Sequence, residues 1–136
     1  MEFWPPLLKN PSGNKAMDEF AITMDRIPKI VFSHTLRQVE WETARLSKKD
    51  PKDEVLELKQ HPGKDILIGS RSLIVYFLNR NLVDEFQLCI QPIIAGKGLP
   101  LFDNICDRIN LRLLRTKTFG CGAVIHYYVP GNIKEN

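Results

Sequence analysis

The sequence predicts an α/β fold with a mixed, mostly parallel sheet that ends in an antiparallel hairpin. Three observations point there. Short apolar, β-rich runs alternate with helical stretches, and such alternation implies crossover connections and parallel pairing. Two of the runs, Ile30-Val31-Phe32 and Ile66-Leu67-Ile68, break directly into turns of small residues. The last two strand-like runs, 109–118 and 123–129, meet around Gly120-Cys121-Gly122, which reads as a hairpin.

The elements follow in order. Residues 1–15 hold three prolines and a Ser-Gly pair and read as an irregular lead-in, with Trp4, Leu7 and Leu8 expected to dock on a neighbour. Met17, Phe20, Ala21 and Met24 recur at helical spacing, so 16–26 is a helix, with Asp18 and Glu19 in its first turn and Pro28 ending it. Lys29–Phe32 is a strand whose unbroken apolar run suits burial on both faces. Residues 39–46 alternate, with Val39, Trp41 and Thr43 on one side, and read as a second strand. Asp50 caps a helix with Pro51 at its first position, and His61-Pro62-Gly63 stops it.

Asp65–Ile68 is expected to form another short buried strand, ending in Gly69-Ser70. A helix follows, with Leu73, Ile74, Phe77 and Leu78 on one face and Asn79-Arg80-Asn81 closing it. Residues 84–91 form a strand through Phe86, Leu88 and Ile90, and 92–102 is a Gly- and Pro-punctuated loop. The tail from Pro130 is polar and expected to fray.

Composition bounds the function classes. The 136 residues make one domain, 1–136, and 43 % apolar content with a net charge of only +3 excludes global disorder. No apolar run approaches the ~20 residues of a membrane span, and no signal peptide is visible at Met1-Glu2-Phe3-Trp4. Cys89, Cys106 and Cys121 are odd in number and lack CxxC spacing, so free thiols in the cytoplasm are expected, with neither a disulfide framework nor a metal site.

Two turns carry chemistry. Ser33-His34-Thr35 follows the first apolar run, and Gly69-Ser70-Arg71-Ser72-Leu73 follows the run at 65–68 and opens a helix. At the carboxyl ends of parallel strands, such turns present backbone N–H groups, and a helix N-terminus adds partial positive charge, which suits a phosphate. Gly69 lets backbone approach an anion, and the Ser70 and Ser72 hydroxyls can donate. A plain helix cap explains either turn alone; two in one small α/β domain point to a nucleotide cofactor. Arg71 and His34 either pair with phosphate or stay solvated. His61 reads as exposed and His126 as packed beside Tyr127-Tyr128. Arg112, Arg115 and Lys117 read as a solvated strand face rather than a nucleic-acid stripe. No catalytic residue stands out.

These blocks together resemble one family. Ile30-Val31-Phe32-Ser33-His34-Thr35-Leu36, Trp41 with Arg45-Leu46, Pro62-Gly63-Lys64-Asp65-Ile66, and Gly69-Ser70 with Ser72-Leu73 come in its order. Leu82-Val83-Asp84-Glu85-Phe86, Pro92-Ile93-Ile94-Ala95-Gly96-Lys97-Gly98 and Pro100-Leu101-Phe102 continue it. The chain resembles the dihydrofolate-reductase-like proteins, and most closely the C-terminal reductase domain of the bifunctional riboflavin-biosynthesis deaminase/reductase and its stand-alone bacterial relatives. The resemblance implies a three-layer α/β/α fold and NADPH as cofactor. It places the adenosine 2′-phosphate end at Ser33, His34 and Thr35 and the pyrophosphate at Gly69, Ser70, Arg71, Ser72 and Leu73. It implies hydride transfer to a pteridine-like or ribosylaminopyrimidine small molecule by a homodimer, with no nucleic acid and no membrane as partner.

Two departures stand beside the match. The family's first strand and first helix, with its Gly-Arg-x-Thr-Tyr-type segment, have no counterpart here, so an N-terminally shortened domain is expected. Arg71 stands where the family pattern has a small residue. The alternatives to a reductase are a non-catalytic remnant keeping the fold with weak nucleotide binding, and an interaction or nucleic-acid module resting on the basic charge alone.

Overall fold

The computed structural model describes residues 10–131, and the chain divides into two compact units, Met1–His61 and Pro62–Asn136. The docking expected of Trp4, Leu7 and Leu8, and the tail beyond residue 131, lie outside the described residues.

In the first unit, helix α1 spans Lys15–Arg26. Asn14 caps it by accepting from the Met17 amide at 3.2 Å, and Asp18 accepts from both the amide and hydroxyl of Ser12 at 2.8 Å. Of the predicted apolar stripe only Ala21 is buried; Met17 and Phe20 stay largely exposed. Strands β1 (Lys29–Val31) and β2 (Ala44–Leu46) pair in parallel, with Ile30 opposite Arg45.

β2 is shorter than the alternation at 39–46 predicts. Residues 41–43 are drawn towards the carboxyl end of α1 instead. The Trp41 indole donates to Asp25 Oδ1 at 2.7 Å, and the Thr43 hydroxyl donates to the Asp25 carbonyl at 2.6 Å. Lys29 Nζ lies 3.9 Å from the Trp41 ring centre and donates to Thr43 Oγ1 at 2.7 Å and to the Ile27 carbonyl at 2.8 Å. Burial pushes the Lys29 ammonium below its usual range, partly offset by the charge of Asp25. Helix α2 spans Pro51–Gln60, with Asp50 accepting from the Lys52 amide at 2.9 Å and Pro51 at its start, as the sequence predicts.

In the second unit, helix α3 spans Arg71–Leu78 and buries Val75, Phe77 and Leu78. Strands β3 (Phe86–Ile90), β4 (Leu111–Thr118) and β5 (Val124–Pro130) form an antiparallel sheet in the order β3-β5-β4. Phe86 and Tyr127 are its buried side chains, and Pro130, where fraying was expected to begin, still pairs with Leu111. The β4–β5 hairpin forms at the predicted place. Gly122 N–H donates to the Phe119 carbonyl at 2.9 Å, and Gly122 takes a left-handed φ of 88°. This is a turn closed by a glycine bulge.

The sheet content is therefore mixed, but its balance differs from the expectation. One parallel pair and two antiparallel pairs are described. The strand expected at Asp65–Ile68 is absent from those ladders, and Leu67 is 80 % exposed rather than buried. An apolar run becomes a strand only when a neighbour supplies its hydrogen bonds, and no described strand pairs with 65–68.

Candidate functional site

The first turn leaves the carboxyl end of β1. Ser33 organises it. The Ser33 hydroxyl oxygen accepts from the Thr35 amide at 3.2 Å and from the Leu36 amide at 3.1 Å, with Thr35 Oγ1 3.4 Å away. This serine turn needs no ligand to hold its shape, and a loop rather than a helix follows it. His34 and Thr35 are exposed. Two of the backbone donors expected to face an anion are thus occupied by Ser33.

The second turn opens α3 and differs in kind. Ser70 is the N-cap residue, yet its side chain makes no capping bond. Its hydroxyl instead lies 3.0 Å from that of Ser72. No acidic residue occupies the first turn of α3, and Arg71 supplies a cation there. A side chain at Gly69 would meet nothing within 4 Å. Open backbone, two adjacent hydroxyls, a helix N-terminus and a guanidinium form a donor set suited to a phosphate. Leu73, the last residue of the turn, is half-buried.

Arg71 is not simply solvated. Its Nη1 donates to the Pro100 carbonyl at 2.7 Å and to Asp103 Oδ2 at 2.7 Å. At the other end of α3, the Asn79 side-chain amide donates to the Asn104 carbonyl at 2.9 Å and accepts from the Cys106 amide at 3.0 Å. Segment 100–106 is thereby strapped along the helix at both ends. Within the strapped segment, Phe102 packs on Phe86 with ring centres 5.6 Å apart. Leu78, Phe86, Phe102, Ile105, Ile109 and Leu111 line an apolar cavity of about 190 Å³. Sequence reasoning did not find this strap or cavity; Pro100-Leu101-Phe102 carried resemblance but no role, and Asp103 carried none.

The remaining candidates have structural partners. His61 is exposed, with Nδ1 2.9 Å from the Glu57 carbonyl. His126 Nδ1 lies 3.1 Å from Thr116 Oγ1, and its ring sits beside Tyr128. The Arg115 guanidinium covers the Tyr127 ring at 3.4 Å, and Lys117 lies over Phe119 at 4.9 Å. Cys89, Cys106 and Cys121 are free and exposed. No helix among the described residues is long and apolar enough to cross a membrane.

The chain is thus an α/β protein with one parallel pair and an antiparallel sheet among its described residues, and the turn that opens α3 has donors suited to an anion. Comparison with known proteins sharpens this: residues 3–125 match the RibD C-terminal domain, and the chain belongs to that family. It is 45 % identical over 97 residues to YyaP of Bacillus subtilis (strain 168), covering 71 % of this chain and 51 % of YyaP. It is 38 % identical over 71 residues to YwjB of the same organism, covering 52 % of this chain and 41 % of YwjB. The chain thus spans about half the length of the curated relatives it matches.

Among solved structures, a protein assigned to riboflavin biosynthesis in Shewanella sp. PV-4 superposes with a TM-score of 0.67 at 18 % identity, over 95 % of this chain and 87 % of that one. A pyrimidine reductase-like protein of Corynebacterium diphtheriae superposes with a TM-score of 0.52 at 18 % identity, over 90 % of this chain and 48 % of that one. These likenesses show the fold.

Proposed function

We propose that the chain is the reductase domain of an NADPH-dependent enzyme acting on a ribosylaminopyrimidine or pteridine-like small molecule. The observation that carries the reading is the turn at Gly69–Leu73: a helix start that its own serine does not cap, beside a cation, in a chain of the RibD C-terminal family. There the Ser70 and Ser72 hydroxyls, the first-turn amides of α3 and the Arg71 guanidinium donate to the pyrophosphate. Gly69 leaves the backbone open to close approach. Taken by itself, the turn of the first unit offers the hydroxyls of Ser33 and Thr35 and the imidazole of His34 as donors for the adenosine 2′-phosphate end that the resemblance implies there, since Ser33 already holds two amides of its turn. NADPH, when bound, supplies a hydride; the chain's part is to fix the nucleotide and keep water from the reacting rings.

A cytoplasmic homodimer goes with this reading. Ile93, Ile94 and Leu99 stand exposed on one loop, and a second copy of the chain gives them an apolar partner.

The test is titration of the full chain with NADPH, followed by cofactor fluorescence. Saturable binding, weaker for NADH, is the expected result. No response at millimolar NADPH, or oligonucleotide binding that weakens with salt, overturns the reading. Sedimentation at micromolar concentration tests the homodimer, and a monomer there removes it.

A further inference from the structure

We infer that Asp103 is a positioning residue: by holding one nitrogen of Arg71, it leaves the other edge of the guanidinium to receive phosphate. The inference rests on the nucleotide reading above and adds a residue that neither sequence pattern nor resemblance singles out. Both hydrogen bonds that tie Arg71 to segment 100–106 leave the same atom, Nη1, one to the Pro100 carbonyl and one to Asp103 Oδ2. The Nε–Nη2 edge takes no part in them. That edge is a planar pair of donors, the geometry that bonds two phosphate oxygens at once.

Holding the side chain in advance matters because an arginine is long. Ordering it at the moment of binding subtracts from affinity, and a side chain already fixed avoids most of that loss. Asp103 is itself well placed to fix it. One residue before it, Phe102 packs on Phe86 of β3. Just after it, Asn104 and Cys106 are bonded to the Asn79 side chain at the far end of α3. The carboxylate is therefore carried on a segment fastened to the same helix whose first turn bears Arg71. The ion pair offsets the charges of Asp103 and Arg71 together, so what Arg71 offers a phosphate is its free donor edge.

A rival relation uses the same contacts: Asp103 competes with the nucleotide for Arg71 and suppresses binding. The two relations give opposite signs when the carboxylate is removed. The experiment is fluorescence titration with NADPH of the full chain and of D103N, D103E and R71K, each also melted thermally to show that it folds. D103N and R71K are expected to bind NADPH roughly tenfold more weakly, the first because the charge-assisted bond that orients the guanidinium becomes a neutral one and the second through loss of the paired donors. D103E keeps the carboxylate and is expected to restore binding to near the unaltered level, which separates positioning from a general loosening of the segment.

Binding by D103N that equals or exceeds that of the unaltered chain overturns the inference, as does full affinity in R71K. If the unaltered chain binds NADPH and D103N binds it equally well, the reductase reading stands and the inference alone falls. If the unaltered chain binds no NADPH, both fall.

Discussion

Arg45 of β2 grips Glu54 of α2 through both terminal guanidinium nitrogens, and the two residues differ sharply in exposure. The Glu54 side chain is 5 % exposed and the Arg45 side chain 54 %. Glu54 Oε2 also accepts from the Ser47 hydroxyl at 2.5 Å. A buried carboxylate is tolerable when its oxygens are bonded in this way.

The first prediction is an acid limb in stability. The hydrogen bond from Arg45, and then that from Ser47, hold the Glu54 carboxyl below its usual range near 4.5. The folded chain therefore binds this proton less readily than the unfolded chain. The stabilisation is fully present above about pH 4.5 and drains away as pH falls through the lower, folded value. Denaturant melts between pH 7 and pH 3 should show midpoints dropping on the acid side. Glu54→Gln should cost about 2 kcal/mol at pH 7 and flatten that acid dependence. An unchanged acid limb in the variant means that other carboxylates cause it.

The second prediction concerns Trp41. Its indole donates to Asp25 and its ring lies under Lys29, so it joins α1 to the entry of β2. Trp41→Phe keeps a ring beneath the ammonium but removes the donor. A loss of about 1 kcal/mol is expected, read as a lower chemical-denaturation midpoint. If Asp25→Ala costs nothing further in the Trp41→Phe background, the coupling is confined to that one bond.

Much of the architecture was legible because it rests on local chemistry. Asp50 announces its helix by side-chain capping, the spacing of Met17, Phe20, Ala21 and Met24 announces α1, and Gly120-Cys121-Gly122 announces the hairpin. What failed was pairing at a distance. Asp65–Ile68 has the composition of a strand but no described partner, and the stretch 39–43 alternates like one while its Trp41 and Thr43 side chains bond to α1. The turn at Gly69–Leu73 was readable from its small residues. The Arg71–Asp103 pair was not, since 32 positions separate the two and nothing local points from one to the other.

The third prediction tests the hairpin. Gly122 has a φ of 88°, and an added Cβ would sit 3.3 Å from Pro92 Cγ. Gly122→Ala meets both a left-handed backbone cost of about 1–2 kcal/mol and a crowded proline. Gly120 has open space around it and no left-handed φ, so Gly120→Ala should cost under about 0.5 kcal/mol. Equal melting temperatures for the two variants contradict the bulge as the seat of the strain.

The fourth prediction separates fold from ligand at Gly69. Nothing lies within 4 Å of a side chain built there, and its φ is outside the left-handed region. Nothing described in the chain itself demands a glycine at this position. If the pyrophosphate of NADPH approaches the backbone at this turn, the demand comes from the ligand alone. Gly69→Val should then melt within about 0.5 kcal/mol of the unaltered chain while binding NADPH at least roughly tenfold more weakly. Gly63, equally open but outside the turn, provides the control, and Gly63→Val should bind normally. Thermal melting and NADPH titration on the three proteins read the two effects independently. Full binding by Gly69→Val moves the pyrophosphate away from this backbone, whatever the family resemblance implies.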